Sequence, residues 1–172
     1  AKRLLHTPVL FYYYIKTFIF PVSLTLNQQW IIKEVTFTNF FLPLIFTCFF
    51  LISATFLNIF LFIKHSKFSK TILFFSIWFI IGIIPHLQLL PLDVTISDRW
   101  FYFSSVGILG VFGVFIQHLM SKFSKYQLLI FSIIIILSFL LAGRTFARNM
   151  DWKDAFTLYT NDSNRAQNAL IE

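Results

Sequence analysis

Charged residues are scarce in this chain. They make up 12% of its 172 residues, whereas soluble domains carry about 25%. Acidic residues are the scarcer kind, seven against fourteen Lys and Arg, and the formal net charge is +7. A folded surface with so few charges would not stay in water, so an ordinary soluble domain is excluded. The basic excess would suggest nucleic acid in a soluble protein, but in a chain that is 58% hydrophobic it indicates membrane orientation.

Two other absences narrow the fold class. Cys48 is the single cysteine, so the chain can form no internal disulfide. The apolar stretches are continuous, and they lack the polar residue at every second position that a membrane β-barrel needs. The sequence therefore predicts an all-α membrane protein with several spans.

Four apolar runs are long enough to cross a bilayer, which takes about 20 helical residues for ~30 Å of hydrocarbon. Before them, Leu4–Phe20 is interrupted by polar residues and is short for a span. We predict an interfacial or re-entrant helix there, with a tilted span as the alternative. The predicted division is 1–41 for this helix and an outer-face loop, 42–143 for the four spans, and 144–172 for an extramembrane helical tail. The four runs are Leu42–Ile63, Ile72–Leu90, Phe101–Met120 and Gln127–Gly143.

The lysines predict the orientation of the spans. Three follow the first run and two follow the third, and the positive-inside bias places such loops in the cytoplasm. By parity, Val22–Phe41, Pro91–Trp100 and the tail from Arg144 lie on the outer face, where we expect a functional site. The lysines are Lys64, Lys67, Lys70, Lys122 and Lys125.

The loop before the third run carries the strongest candidate site, because Asp98 and Arg99 stand at the mouth of a helix. Arg99 could face an anionic ligand, since Arg binds phosphate bidentately and free N–H groups at a helix start add partial positive charge. The alternative is an interfacial ion pair. His86 is either a hydrogen-bonded structural residue or part of the site. Asp93 is either a solvated carboxylate or a group that orients Arg99.

A second polar cluster follows the last run, and we interpret it either as an interfacial membrane anchor or as support for the site. The cluster consists of Arg144, Arg148, Asn149, Asp151 and Trp152.

The histidines at positions 6, 65 and 118 are widely scattered, so the sequence predicts no metal site among them.

Several stretches follow one pattern in order along the chain. A tryptophan-bearing helix ends in Pro, a loop closes with Asp-Arg and aromatic residues, and an Arg-Asn-x-x-Trp-x-Asp linker precedes a helix start. The matching residues are Arg3–Leu24, Trp78, Ile84–Gln88, Asp98–Gly107, Arg144–Leu158 and Ser163–Leu170. In these stretches the chain resembles the membrane domain of transmembrane-and-tetratricopeptide-repeat proteins, which are similar to C-type membrane glycosyltransferases.

The resemblance implies transfer of a sugar from a polyprenyl-phosphate carrier to a protein or glycan acceptor on the outer or lumenal face. Arg99 would contact the carrier phosphate, and Asp98 and His86 would position it. The tail would lead into a tetratricopeptide-type repeat. The supporting residues would be Asp93, Tyr102, Arg144, Arg148, Asn149 and Trp152.

Two departures from the family pattern limit what this chain can do alone. Trp100 and Ser104 stand where the family has Tyr and Pro. The acidic motif expected in the first extracytoplasmic loop, which would hold the catalytic carboxylate or a metal, is missing, so we expect it upstream of Ala1 in a longer protein. We expect this portion alone to be inactive and to hold no cofactor or metal. The full-length enzyme could bind a divalent metal.

The expected location is the bacterial inner membrane, or the endoplasmic reticulum membrane in a eukaryote. The expected partners are the bilayer, the carrier-linked sugar and its acceptor, with no nucleic acid. The alternative function is a non-catalytic anchor that presents a repeat domain to an extracytoplasmic partner. A transporter half fits less well, because the centres of the four runs carry no charge.

Overall fold

The computed structural model describes residues 5–22, 24, 26, 35–89 and 94–169, with side chains in the last helix described up to Ser163. The described residues form helices and no strand, which confirms the all-α class. A π-helical turn at Phe37–Phe41 leads into α2, and short 3-10 turns occupy Ile84–His86, Asp98–Trp100, Ser124–Tyr126 and Met150–Lys153. The α-helices are α1 (Thr7–Ile19), α2 (Leu42–Ile63), α3 (Ser69–Ile83), α4 (Phe101–Lys122), α5 (Gln127–Asn149) and α6 (Ala155–Ala169).

Four helical segments are long and apolar enough to cross a membrane, as the sequence predicted. At most 22% of the most apolar stretch of any of them is buried inside the protein, so most of their apolar side chains face outward. Outward apolar surface of this extent is unfavourable in water, and the hydrocarbon of a bilayer can cover it. The segments are Phe37–Ile63, Ser69–His86, Asp98–Lys122 and Ser124–Lys153.

α5, the helix that follows Lys122 and Lys125, is longer than the apolar run from which it was predicted. α5 continues past Gly143 to Asn149, so the predicted limit between the spans and the tail falls within one helix. The reason is that neither Gly143 nor Arg144 has to end a helix, since an isolated Gly only weakens one. Arg148 therefore stands in the last turn of α5.

The described residues divide into two compact units. The boundary lies in α4 after Val114, and Leu24 also belongs to the second unit. The first unit contains α1, α2, α3 and the first half of α4. The second contains the end of α4, α5 and α6.

α1 supplies much of the buried core of the first unit. Leu10, Phe11, Tyr14 and Ile15 share one helical face, and each is at most 3% exposed. Tyr14 stacks on the ring of Phe101 with centroids 5.3 Å apart. The 13 residues of α1 cover only about 20 Å, less than the ~30 Å of a hydrocarbon core. Its interfacial or re-entrant placement stays a prediction.

α3 and α4 approach closely at glycines. A Cβ placed on Gly107 would lie 2.7 Å from the backbone N and O atoms of Phe79 and Phe75 respectively, so only Gly allows this spacing. The indole N–H of Trp78 donates to the carbonyl of Phe103 across the same pair of helices, at 2.9 Å. Small residues with an interhelical hydrogen bond are the usual means of packing helices in lipid, and this packing holds the start of α4 in place.

Candidate functional site at the start of α4

The turn that carries Asp98 and Arg99 is fixed by the residue before it. Ser97 is extended and fully buried, and its hydroxyl donates to the carbonyl of Leu26 at 2.8 Å. Its own carbonyl accepts from the N–H of Trp100 at 3.0 Å, which closes the 3-10 turn Asp98–Trp100. Because α4 begins at the next residue, this turn places both charged side chains at a helix N-terminus.

Asp98 is tied to α1. The hydroxyl of Tyr13 donates to Oδ1 of Asp98 at 3.2 Å, although the two residues are 85 positions apart. A carboxylate at a helix start also interacts favourably with the partial positive charge of the N-terminal N–H groups. The contact therefore joins the position of the Asp-Arg turn to the buried helix of the unit.

Arg99 is exposed. Its side chain makes no hydrogen bond or ion pair with any residue that the structure describes. Tyr102, three positions further along and on the first turn of α4, is also exposed, at 75%. The five N–H donors of the Arg99 guanidinium are therefore not engaged by any residue that the structure describes.

His86 is brought to this turn by an aromatic contact. Its ring stacks on Trp100 with centroids 5.2 Å apart and planes inclined by 18°. Nδ1 of His86 is buried and has no hydrogen-bond partner among the described residues. A buried polar atom without a partner is costly, and such atoms in membrane proteins tend to belong to functional sites.

Gln88 holds the two ends of the intervening loop together. Its side-chain amide donates to the carbonyl of Val94 at 2.7 Å and to that of Thr95 at 3.3 Å. Gln88 itself has φ +57°, a left-handed conformation that non-glycine residues rarely adopt. The strained residue and its two bonds close the loop near His86. Asp93, a predicted site residue in this loop, lies outside the described residues.

The tail residues form a different arrangement in the second unit. Arg148 is 9% exposed, and its guanidinium binds Oδ2 of Asp151 and Oδ1 of Asp162, both at 2.8 Å. The side-chain amide of Asn161 donates to the other oxygen of Asp151, at 2.8 Å. This buried cluster, Arg148 with Asp151, Asp162 and Asn161, joins the last turn of α5 to α6. We call it the tail clamp.

Two of the other predicted tail residues, Asn149 and Trp152, are exposed, whereas Arg144 is half-buried and has a partner. The predicted site residues thus fall into two groups. Asp98, Arg99, Tyr102 and His86 lie around the start of α4, and the tail residues lie in the second unit.

Sequence analysis missed several residues that shape these sites. Tyr13 bonds to Asp98 in the turn and Gln88 closes the loop before it, and no spacing in the sequence connects either residue to the turn. Asp162 is likewise distant from Arg148. Only the pair Arg148 and Asp151 carries a sequence signal, because residues three apart on a helix are neighbours.

The described residues hold no group of three or more His, Cys, Asp or Glu side chains that could bind a metal ion. Comparison of the chain with protein-family models, with curated protein sequences and with solved structures finds no match.

Proposed function

We propose that this chain is the C-terminal portion of an integral-membrane glycosyltransferase that uses a polyprenyl-phosphate-linked sugar. The observation that carries the proposal is the Arg99 side chain, exposed and without a partner among the described residues, on a turn that Ser97 and Tyr13 fix at the start of an apolar helix. An arginine kept in this position has its charge available for an anion. The resemblance of Asp98–Gly107 to transferase membrane domains suggests which anion.

In this proposal the phosphate of the carrier lies against Arg99 and the helix start. When the bond between the sugar C1 and the phosphate oxygen breaks, the carrier leaves as a phosphate monoester with one more negative charge. Two parallel N–H donors of a guanidinium suit that group better than a point charge does. Arg99 would then stabilise the leaving group in the transition state.

The acceptor hydroxyl attacks C1 in the same step and loses its proton to a base. This base is the carboxylate that we expect outside this chain, and it acts in the usual way of a general base. Asp98 and His86 would position Arg99 and the phosphate rather than react. The exposed ring of Tyr102 would offer apolar surface to the first isoprene units.

The proposal is tested with Arg99→Lys in the full-length protein in lipid nanodiscs. Because Lys keeps the charge but loses the two-pronged geometry, binding of polyprenyl monophosphate and sugar transfer should both fall. Loss of a charge-assisted hydrogen bond costs roughly 1.5–3 kcal/mol, or about 10- to 150-fold. The matched control is Lys125→Ala, an exposed cation in a loop at the other end of α4. Normal binding and transfer by Arg99→Ala would reject this role.

The orientation is tested separately with an impermeant thiol reagent on intact cells. In a Cys48→Ser background, single cysteines at Thr95 and Thr160 should react, and those at Ser66 and Ser124 should not. The lysine distribution is the basis of this expectation. Reaction at Ser66 but not at Thr95 would place the Asp-Arg turn on the cytoplasmic face and remove the outer-face site.

The second candidate function is a membrane anchor that presents a repeat domain outside the cell. The tail clamp favours it, because a buried ion-pair cluster fixes α6 to the end of the last span. The two functions separate in one experiment. An anchor would lose partner binding with Arg148→Ala and be indifferent to Arg99→Ala, whereas the enzyme would lose carrier binding with Arg99→Ala.

A further inference from the structure

α6 has two unlike faces. Leu158 and Asp162 are buried, and they face the rest of the second unit through Leu158 packing and the ion pair to Arg148. Away from these contacts, Phe156 is 81% exposed and Tyr159 is 68% exposed. They line a shallow concavity with Ala155, Thr160 and Ser163. A helix that buries one side and leaves large aromatic rings on the other has an interaction surface that the described residues do not cover.

The depth of this surface follows from the tail clamp. Counted from Gln127, about 20 residues of α5 cover ~30 Å of hydrocarbon, which brings the edge of the hydrocarbon to Phe146. Arg148 lies two positions further, about 3 Å along the axis, and so within the headgroup layer, which adds roughly 5–7 Å on each side. Asp162 is held 2.8 Å from Arg148, so the middle of α6 cannot move far into water.

The beginning of α6 is held near the same level. Only the 3-10 turn Met150–Lys153 and Asp154 separate α5 from α6. Large apolar side chains are also exposed at the end of α5, in this turn and in α6, namely Phe146, Met150, Trp152, Phe156 and Tyr159. Trp and Tyr are the residues that favour the membrane interface, where one side of the ring is dry and the other is wet.

We propose that Trp152, Phe156 and Tyr159 form an aromatic surface that docks into the boundary between lipid headgroups and acyl chains. The occupant of this surface is the bilayer of the membrane in which the chain itself is embedded. The tail clamp sets the depth and the rotation of α6, and the rings anchor it. This inference is independent of the proposed enzymatic function, because it uses no residue at the start of α4.

The test uses a fluorophore attached to a single cysteine in a Cys48→Ser background. Tyr159→Cys places it on the aromatic surface. Thr157→Cys is the matched control, because two residues along a helix turn the side chain by about 160° to the other side. The full-length protein is reconstituted in phosphatidylcholine vesicles with lipids brominated near the headgroup end of the acyl chain, and iodide serves as the aqueous quencher.

We expect brominated lipid to quench the label at position 159, with a blue-shifted emission, and iodide to quench the label at 157. Quenching of both labels by iodide alone would place the aromatic surface in water and overturn the proposal. Protection of position 159 from both quenchers would overturn it in favour of a protein cover, such as a following repeat helix. If Tyr159→Cys lowers the helix content, Phe156→Cys carries the label on the same surface.

Discussion

Two arginines of this chain stand near helix ends in opposite circumstances. Arg99 precedes α4, is exposed and has no partner among the described residues, whereas Arg148 ends α5 and is buried between two aspartates. A buried guanidinium with two carboxylates has its donors engaged, and it cannot also bind a phosphate without breaking the cluster. The comparison indicates that Arg99 is suited to a ligand and that Arg148 is suited to holding α6.

The largest expected effect is on the stability of the fold, where replacement of Arg148 and replacement of Arg99 should differ most. Arg148→Ala removes the guanidinium that binds both Asp151 and Asp162, and breaking a buried pair in this way costs about 3–5 kcal/mol. Arg99→Ala at an exposed position should stay within about 0.5 kcal/mol. Hydrogen exchange of the α6 amides in detergent measures both. A triple variant, Arg148→Met with Asp151→Asn and Asp162→Asn, should recover most of the loss, because no charge is left uncompensated.

Equal effects of Arg148→Ala and Arg99→Ala on these amides would contradict the comparison. So would a triple variant that is less stable than Arg148→Ala, because the cost would then not come from uncompensated charge.

The second prediction concerns the support beneath Arg99. Gly107→Ala would place a methyl group against the backbone of Phe75 and Phe79 in α3, and such overpacking costs about 1–3 kcal/mol. The shift of α4 should also weaken binding of polyprenyl phosphate. Gly113→Ala is the control, because no described atom lies within 4 Å of its added Cβ. Unfolding in mixed micelles should separate the two variants, and equal stability would mean that α3 and α4 are not in close contact.

A third, smaller effect is expected at Tyr13. Tyr13→Phe removes the hydroxyl that donates to Asp98, and a hydrogen bond of this kind contributes about 0.5–1.5 kcal/mol. Because the contact fixes the turn before Arg99, carrier binding should fall by a similar factor, up to about 10-fold. Tyr12→Phe, on the same helix, is the control. A loss as large as that of Arg99→Lys would instead assign Tyr13 a direct contact with the ligand.

The comparison also shows which features the sequence could predict. The four spans follow from continuous apolar runs, and the start of α2 at Leu42 and of α4 at Phe101 agree with the predicted positions. A run of apolar residues is a local property and needs no knowledge of the fold. The predicted importance of Arg99 comes equally from its immediate neighbours in the sequence. Its role in binding a phosphate stays a prediction.

The features that could not be predicted depend on contacts between distant positions. The bond from Tyr13 to Asp98 and the ion pair from Arg148 to Asp162 join residues 85 and 14 positions apart. Neither has a periodicity that marks it in a single sequence. The burial of α1 is an intermediate case, since Leu10, Phe11, Tyr14 and Ile15 have the spacing of one helical face. That spacing indicates a packed face but not the helices against which it packs.

The smallest effect concerns Asp154, an exposed carboxylate that caps the start of α6. It accepts a hydrogen bond from the backbone N–H of Thr157 at 2.7 Å and one from the Thr157 hydroxyl at 3.0 Å. These bonds, the backbone one foremost, favour the charged form and lower the pKa of Asp154 from its ordinary value of 3.8. Because the folded pKa is the lower one, the stabilisation is present above pH 3.8 and is lost as the pH falls through the folded pKa.

Asp154→Asn tests this titration. Asn is an equally good helix N-cap but does not titrate, and the rest of the chain is the same in both proteins. The ratio of α6 protection factors, wild type over Asp154→Asn, should therefore stay constant above pH 3.8 and fall only below it. A constant ratio down to the lowest pH would mean that the Asp154 cap does not hold α6. The tail clamp alone would then hold α6 at the end of α5, and no comparable cluster of described residues surrounds Arg99 at the start of α4.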